Sequence, residues 1–305
     1  MMSTRLTGAF APAVTPFKPD LSPDLERFAT HCHWLQQQGA GLAVFGTNSE
    51  ANSLTVSERV MLLDHLIGQG LDASRILPGT GCCALPDTVE LSHQATLHGC
   101  AGVLMLPPFF YKGVSDDGLF DYYTEVIERV AMDNLRVFLY HIPAFSGVPI
   151  SLNLIERLAS RFPQQIAGVK DSSGDWANLE AMLTSFPQLS IFPASESLLS
   201  RALPLGAAGC ISATININPA AISAMCANWR APDAAKAQAS LDTIRQIIQK
   251  YPMIAALKWT IAHYRDDQQW QRQRPPLRAL SEQQQSELQA LLSAAGFAMP
   301  GLEAS

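Results

Sequence analysis

Two rhythms of apolar and polar positions alternate along the first three quarters of the chain. Short apolar runs at 9–14, 42–45, 76–79, 102–106, 137–141, 166–169, 190–192 and 210–212 have the length and composition of buried strands. Between them lie longer segments whose apolar residues recur at helical spacing. Ser22-Pro23-Asp24-Leu25 reads as a cap followed by proline in the first turn, and Phe28, Cys32 and Leu35 follow on one face. A second helix is expected from Ser57 through Val60, Leu63 and Ile67, a third from Ser151, and a fourth over 198–205, stopped by Gly206.

Eight runs joined by helices are the number that closes a parallel (β/α)8 barrel. After the last run the pattern is helical only, over 233–249, 253–264 and 281–294, broken by Pro252 and Pro275-Pro276. The expected organisation is an α/β chain with a TIM barrel over residues 1–225 and a C-terminal helical extension of the same domain over 226–305. An open doubly wound sheet is the alternative. Its one supporter is Gly79-Thr80-Gly81-Cys82-Cys83-Ala84, a loose dinucleotide-binding pattern after a strand, but no acidic residue ends a strand about 20 residues further on.

A formal net charge of −6 leaves no basic field for nucleic acid or an anionic membrane. The apolar runs are far shorter than the roughly 20 residues of a membrane span, and Pro12 interrupts the apolar stretch near the N-terminus, so a soluble chain without an export signal is expected. Six cysteines without a C-x-x-C pair do not make a disulfide scaffold, which points to the reducing cytoplasm; Cys82 and Cys83 read as small buried packing residues. His31 and His33, two apart on a helix, point to different faces and do not make a metal pair; His93 and His98 read as surface groups.

In a parallel barrel the chemistry sits where strands end. The second run leads into Gly46-Thr47-Asn48-Ser49-Glu50, a loop suited either to offering backbone N–H groups to an anion or to capping a helix. The fifth run ends in Tyr140-His141 and the sixth in Lys170-Asp171. Neighbouring strands lie about 4.8 Å apart, so amine and phenol at matching ends can reach one small ligand. Barrel walls would desolvate Lys170 and favour the neutral amine that attacks a ketone, whereas an ordinary strand-end lysine would reach solvent. Alternation aims His141 away from the barrel centre, into a structural role.

Residues 8–17, the loop 46–50, and the segments 106–115, 140–147, 168–174 and 274–277 together resemble the pyruvate-dependent class I aldolase and lyase family that includes dihydrodipicolinate synthase and N-acetylneuraminate lyase. The resemblance implies that Lys170 forms an imine with pyruvate or a related 2-oxo acid, without a cofactor or metal, and that Tyr140 shuttles protons. It further implies that Thr47 relays protons through its hydroxyl, that the backbone N–H groups of Thr47 and Asn48 hold the substrate carboxylate, and that Ile211 lines the pocket. An aromatic hydroxyl from a neighbouring subunit of a homotetramer is implied at Tyr111, with Phe110 in that place in the other alignment register.

Where dihydrodipicolinate synthase carries an arginine that grips the second substrate, this chain has Phe145, which cannot form a bidentate pair with a carboxylate. Lysine biosynthesis is therefore not expected. The run Pro143-Ala144-Phe145-Ser146-Gly147 looks closer to neuraminate lyase, yet around Ala194 to Ser197 only Glu196 and Ser197 are able to bind a polyol tail. The leading expectation is a Schiff-base lyase. Its alternatives are a dehydratase of 2-keto-3-deoxy sugar acids through the same imine, and a non-catalytic 2-oxo acid binding protein.

Overall fold

The computed structural model describes residues 5–302. The chain divides into two compact units: one comprises Asp72–Ile211 with the residues up to Gly8, the other Ala9–Leu71 and the chain from Ser212 onward. Among the described residues seven strands are formed, β1 (Gly8–Ala11), β2 (Gly41–Leu42), β3 (Val103–Met105), β4 (Val137–His141), β5 (Ile166–Asp171), β6 (Ser190–Pro193) and β7 (Gly209–Cys210).

In the first unit β3, β4, β5 and β6 form a parallel sheet in chain order. The expected strand at 76–79 is present only as an extended segment. Gly79 makes a parallel bridge with Leu104, whose N–H donates to Pro78 O at 2.8 Å and whose carbonyl accepts from Thr80 N at 3.0 Å. Gly81 is demanded by this close approach, since a Cβ there would stand 2.3 Å from the Leu106 nitrogen. The glycine pattern that hinted at a dinucleotide loop thus has a packing cause. Cys83 is exposed and Cys82 half-buried, contrary to their expected burial; the Cys82 N–H donates to the Thr88 hydroxyl at 2.9 Å.

In the second unit β1 and β2 pair in parallel, Phe10 with Gly41 and Ala11 with Leu42. The C-terminal helices Ala234–Ile248, Met253–Arg265 and Glu282–Ala294 belong to this unit as well. The Trp259 indole donates to Gln285 at 3.1 Å and Trp34 donates to Pro300 O at 3.1 Å, tying these helices and the chain end together. Local signals were displaced by a residue or two. The first helix starts at Leu25 with Asp24, not Ser22, as its cap, and the second at Val56 with a Thr55–Glu58 capping box. The helix expected over 198–205 is a chain of single turns, stopped at Gly206 with φ 93° as anticipated.

His31 is fully buried in the second unit. Its ring stacks on Trp34 with centroids 5.6 Å apart and meets Trp270 edge-on at 5.2 Å. Burial, aided by the charge of Arg265, lowers its pKa from 6.5 to about 3. Between those values the unfolded chain holds a proton that the folded one refuses, so stability falls as pH drops through this window and is untouched above it. Urea unfolding at pH 6.5 and 5 should show His31→Gln losing about 2 kcal/mol less than the parent protein; equal losses would contradict the assignment.

Candidate active site

The sheet of the first unit is built around one register. Phe138 faces Gly168 across β4 and β5, Tyr140 faces Lys170, and Lys170 in turn faces Phe192 of β6. Side chains two apart share a face, so Phe138 with Tyr140 and Gly168 with Lys170 point to the same side. The Phe138 and Phe192 rings pack together, with centres 6.1 Å apart. Gly168 makes this possible, because a Cβ there would lie 2.7 Å from the Phe138 ring and 2.2 Å from the Ser190 carbonyl oxygen. Lys170 places its Nζ 4.2 Å from the centre of the Tyr140 ring. Both side chains are buried, with 3% and 2% of their surface exposed.

His141 and Asp171, next along the two strands, face one another in the register and fall on the opposite side. His141 accepts the Ile150 N–H on Nδ1 at 3.0 Å, and burial lowers its pKa against the opposing pull of Asp171. Its role is structural, as alternation suggested. Asp171 closes the following turn by accepting from Ser173 N at 2.9 Å.

Ile211 follows β7, buried, with its N–H on Pro193 O at 3.1 Å. Glu196 opens a single turn after β6 and is buried. Phe145 lies on the turn Pro143–Ser146 and is 75% exposed, while Phe110 and Tyr111, at 72% and 73%, contact each other edge to face with centroids 5.3 Å apart. Lys112 joins these loops. Its ammonium donates to Ser146 O at 2.5 Å and to Phe109 O, so the Phe110-Tyr111 segment and the Phe145 turn are cross-linked. Sequence reading missed Lys112, since no pattern local to 109–112 announces a partner 34 residues away.

Thr47 and Asn48 belong to the second unit, half-buried in a turn between Phe45 and Glu50. The turn uses the Gly46 and Thr47 carbonyls, which accept from Ser49 N and Glu50 N, both at 3.2 Å. Thr15 Oγ1 donates to Ser49 O at 2.7 Å beneath it.

The chain is similar to known proteins along nearly its whole length. A model of the dihydrodipicolinate synthetase family matches residues 5–295. A "DapA-like lyase" of Chloroflexus aurantiacus is 36% identical over 260 residues, 83% of this chain and 86% of that protein. The crystal structure of dihydrodipicolinate synthase from Agrobacterium tumefaciens, 30% identical, superposes with a TM-score of 0.87 over 95% of this chain and 99% of its own. YagE of E. coli K12, a family member solved in complex with pyruvate, is 28% identical with a TM-score of 0.85 over 96% and 99%. The fold is therefore the expected (β/α)8 barrel with C-terminal helices. With its family model matched along nearly its whole length, the chain belongs to the dihydrodipicolinate synthetase family, the class I lyases that act on pyruvate and related 2-oxo acids through a Schiff base.

Proposed function

We propose that this lyase works through Lys170 and is not a dihydrodipicolinate synthase. The observation that carries the reading is the buried Lys170 ammonium 4.2 Å from the Tyr140 ring at matching strand ends. In this reading the Lys170 amine adds to the ketone of a 2-oxo acid, water leaves, and the imine is the electron sink for making or breaking the neighbouring carbon–carbon bond. The Tyr140 hydroxyl carries protons to and from the carbinolamine oxygen and the reacting carbon, with Thr47 as its relay. Backbone N–H groups of Thr47 and Asn48 take the carboxylate, and Ile211 supplies apolar wall. Tyr111, or Phe110 in the other register, stands at the position a neighbouring subunit would use, and the exposed aromatic pair on the Lys112-braced loop supports assembly into a homotetramer.

Phe145 sets the second substrate. A ring in place of a guanidinium offers no bidentate partner to a second substrate's carboxylate. The buried Glu196 supports a hydroxylated tail as the alternative, since a carboxylate accepts hydrogen bonds from sugar hydroxyls. No helix among the described residues is long and apolar enough to cross a membrane, which fits a cytoplasmic enzyme.

Borohydride reduction with pyruvate should add one pyruvate-derived group at Lys170, read by intact mass and peptide mapping; an adduct elsewhere, or none with any 2-oxo acid, overturns the reading. Lys170→Ala should keep the fold and lose turnover of candidate 2-keto-3-deoxy sugar acids, with pyruvate release as the assay. Tyr140→Phe should slow that turnover by about 10² to 10⁴ while the imine still forms, more slowly; an unchanged rate would move the proton transfer to another group. With pyruvate and aspartate semialdehyde the parent protein should show negligible turnover, and a rate of about 1 s⁻¹ or more would refute the role given to Phe145.

A further inference from the structure

The core of the second unit holds an ion pair that the chemistry above does not use. Lys258, on the helix Met253–Arg265, points its ammonium at Glu50, and both side chains are fully buried. Lys258 also donates to Arg272 O at 2.8 Å and lies 4.6 Å over the Phe17 ring. The other Glu50 oxygen accepts the backbone N–H of Arg274 at 3.3 Å. Arg274 spreads outward from there. Its guanidinium pairs with Glu58, donates to Ser53 O at 2.5 Å and Leu21 O at 2.9 Å, and covers the other contact of the Phe17 ring at 4.9 Å.

Glu50 is the last residue of the loop that carries Thr47 and Asn48. It is left-handed, with φ 56°, and so is Phe45 at the other end, with φ 59°. Side chains seldom adopt this conformation, and two such residues bracketing a four-residue turn persist only where neighbours hold them. The backbone bonds inside the turn are at the long end of the ordinary range, at 3.2 Å. Burial raises the Glu50 carboxyl and lowers the Lys258 ammonium, each opposed by the partner's charge. Replacing such a pair with apolar side chains is often neutral or stabilising, so stability alone does not account for it.

We propose that the Lys258–Glu50 pair is a positioning device through which the C-terminal helices hold the Thr47–Asn48 loop in its carboxylate-binding shape. The proposal rests on the reading of Thr47 and Asn48 as the carboxylate site. It assigns Lys258, Glu50 and the Arg272–Arg274 segment an indirect part in affinity for 2-oxo acids and none in the covalent step.

The test is the concentration of pyruvate giving half-maximal borohydride trapping, measured beside the same quantity for acetone, which forms the imine but has no carboxylate. In Lys258→Met the pyruvate value should rise about tenfold, the acetone value should stay within twofold, and the maximal trapping rate should be kept. Lys258→Arg should restore most of the pyruvate affinity. Glu50→Gln, equal in size and able to hold the hydrogen bonds, guards against a collapsed Lys258→Met and should raise the pyruvate value at least threefold with the fold intact. Parallel rises for pyruvate and acetone, unchanged pyruvate values in folded variants, or loss of fold in Glu50→Gln would each overturn the proposal. No trapping at Lys170 in the parent protein would instead overturn the reading beneath it.

Discussion

The pairing of β4 with β5 is the constraint on which the candidate site depends. Parallel strands pair in one register, and here that register sets Tyr140 against Lys170 and, two residues earlier, Phe138 against Gly168. A shift of one residue would exchange the faces and turn His141 and Asp171 inward. Gly168 guards the arrangement, since any larger residue would strike both the Phe138 ring and the neighbouring strand. Lys170 stands at the end of its strand with its Nζ against the Tyr140 ring, whereas a carboxylate holds Lys258.

The two buried lysines differ in their surroundings. Lys258 is committed: a carboxylate, a carbonyl and a ring face occupy its ammonium, and a charge so satisfied is a poor nucleophile. Lys170 faces the ring of Tyr140 at the end of its strand. Lys112 is a third case. Exposed and tied to two carbonyls, it joins two loops that carry the exposed Phe110, Tyr111 and Phe145.

Much of this was legible in the residues. The eight apolar runs, the helical tail, the strand-end positions of Tyr140 and Lys170 and the outward His141 all follow from periods of two and of 3.6, which are set by neighbours a few residues away. Where several local signals competed, the choice lay elsewhere. Asp24 displaced Ser22 as a helix cap while its other carboxylate oxygen bound Arg27, and Arg27 also reaches Asp267, 240 residues on. The run at 76–79 kept its extended form and bridges Leu104 through Gly79, while Gly81 lies close against the Leu106 backbone.

The amino-acid order by itself determined the succession of strands and helices and the strand ends at which the chemistry-bearing residues stand, because backbone geometry repeats over short spans whatever surrounds it. Only the tertiary structure decided which charges are paired and which loops are braced. Lys258 finds Glu50 across 208 positions and Lys112 finds Ser146 across 34. A buried charge must take its partner from whatever segment folding brings within hydrogen-bond reach, and no local period encodes that distance.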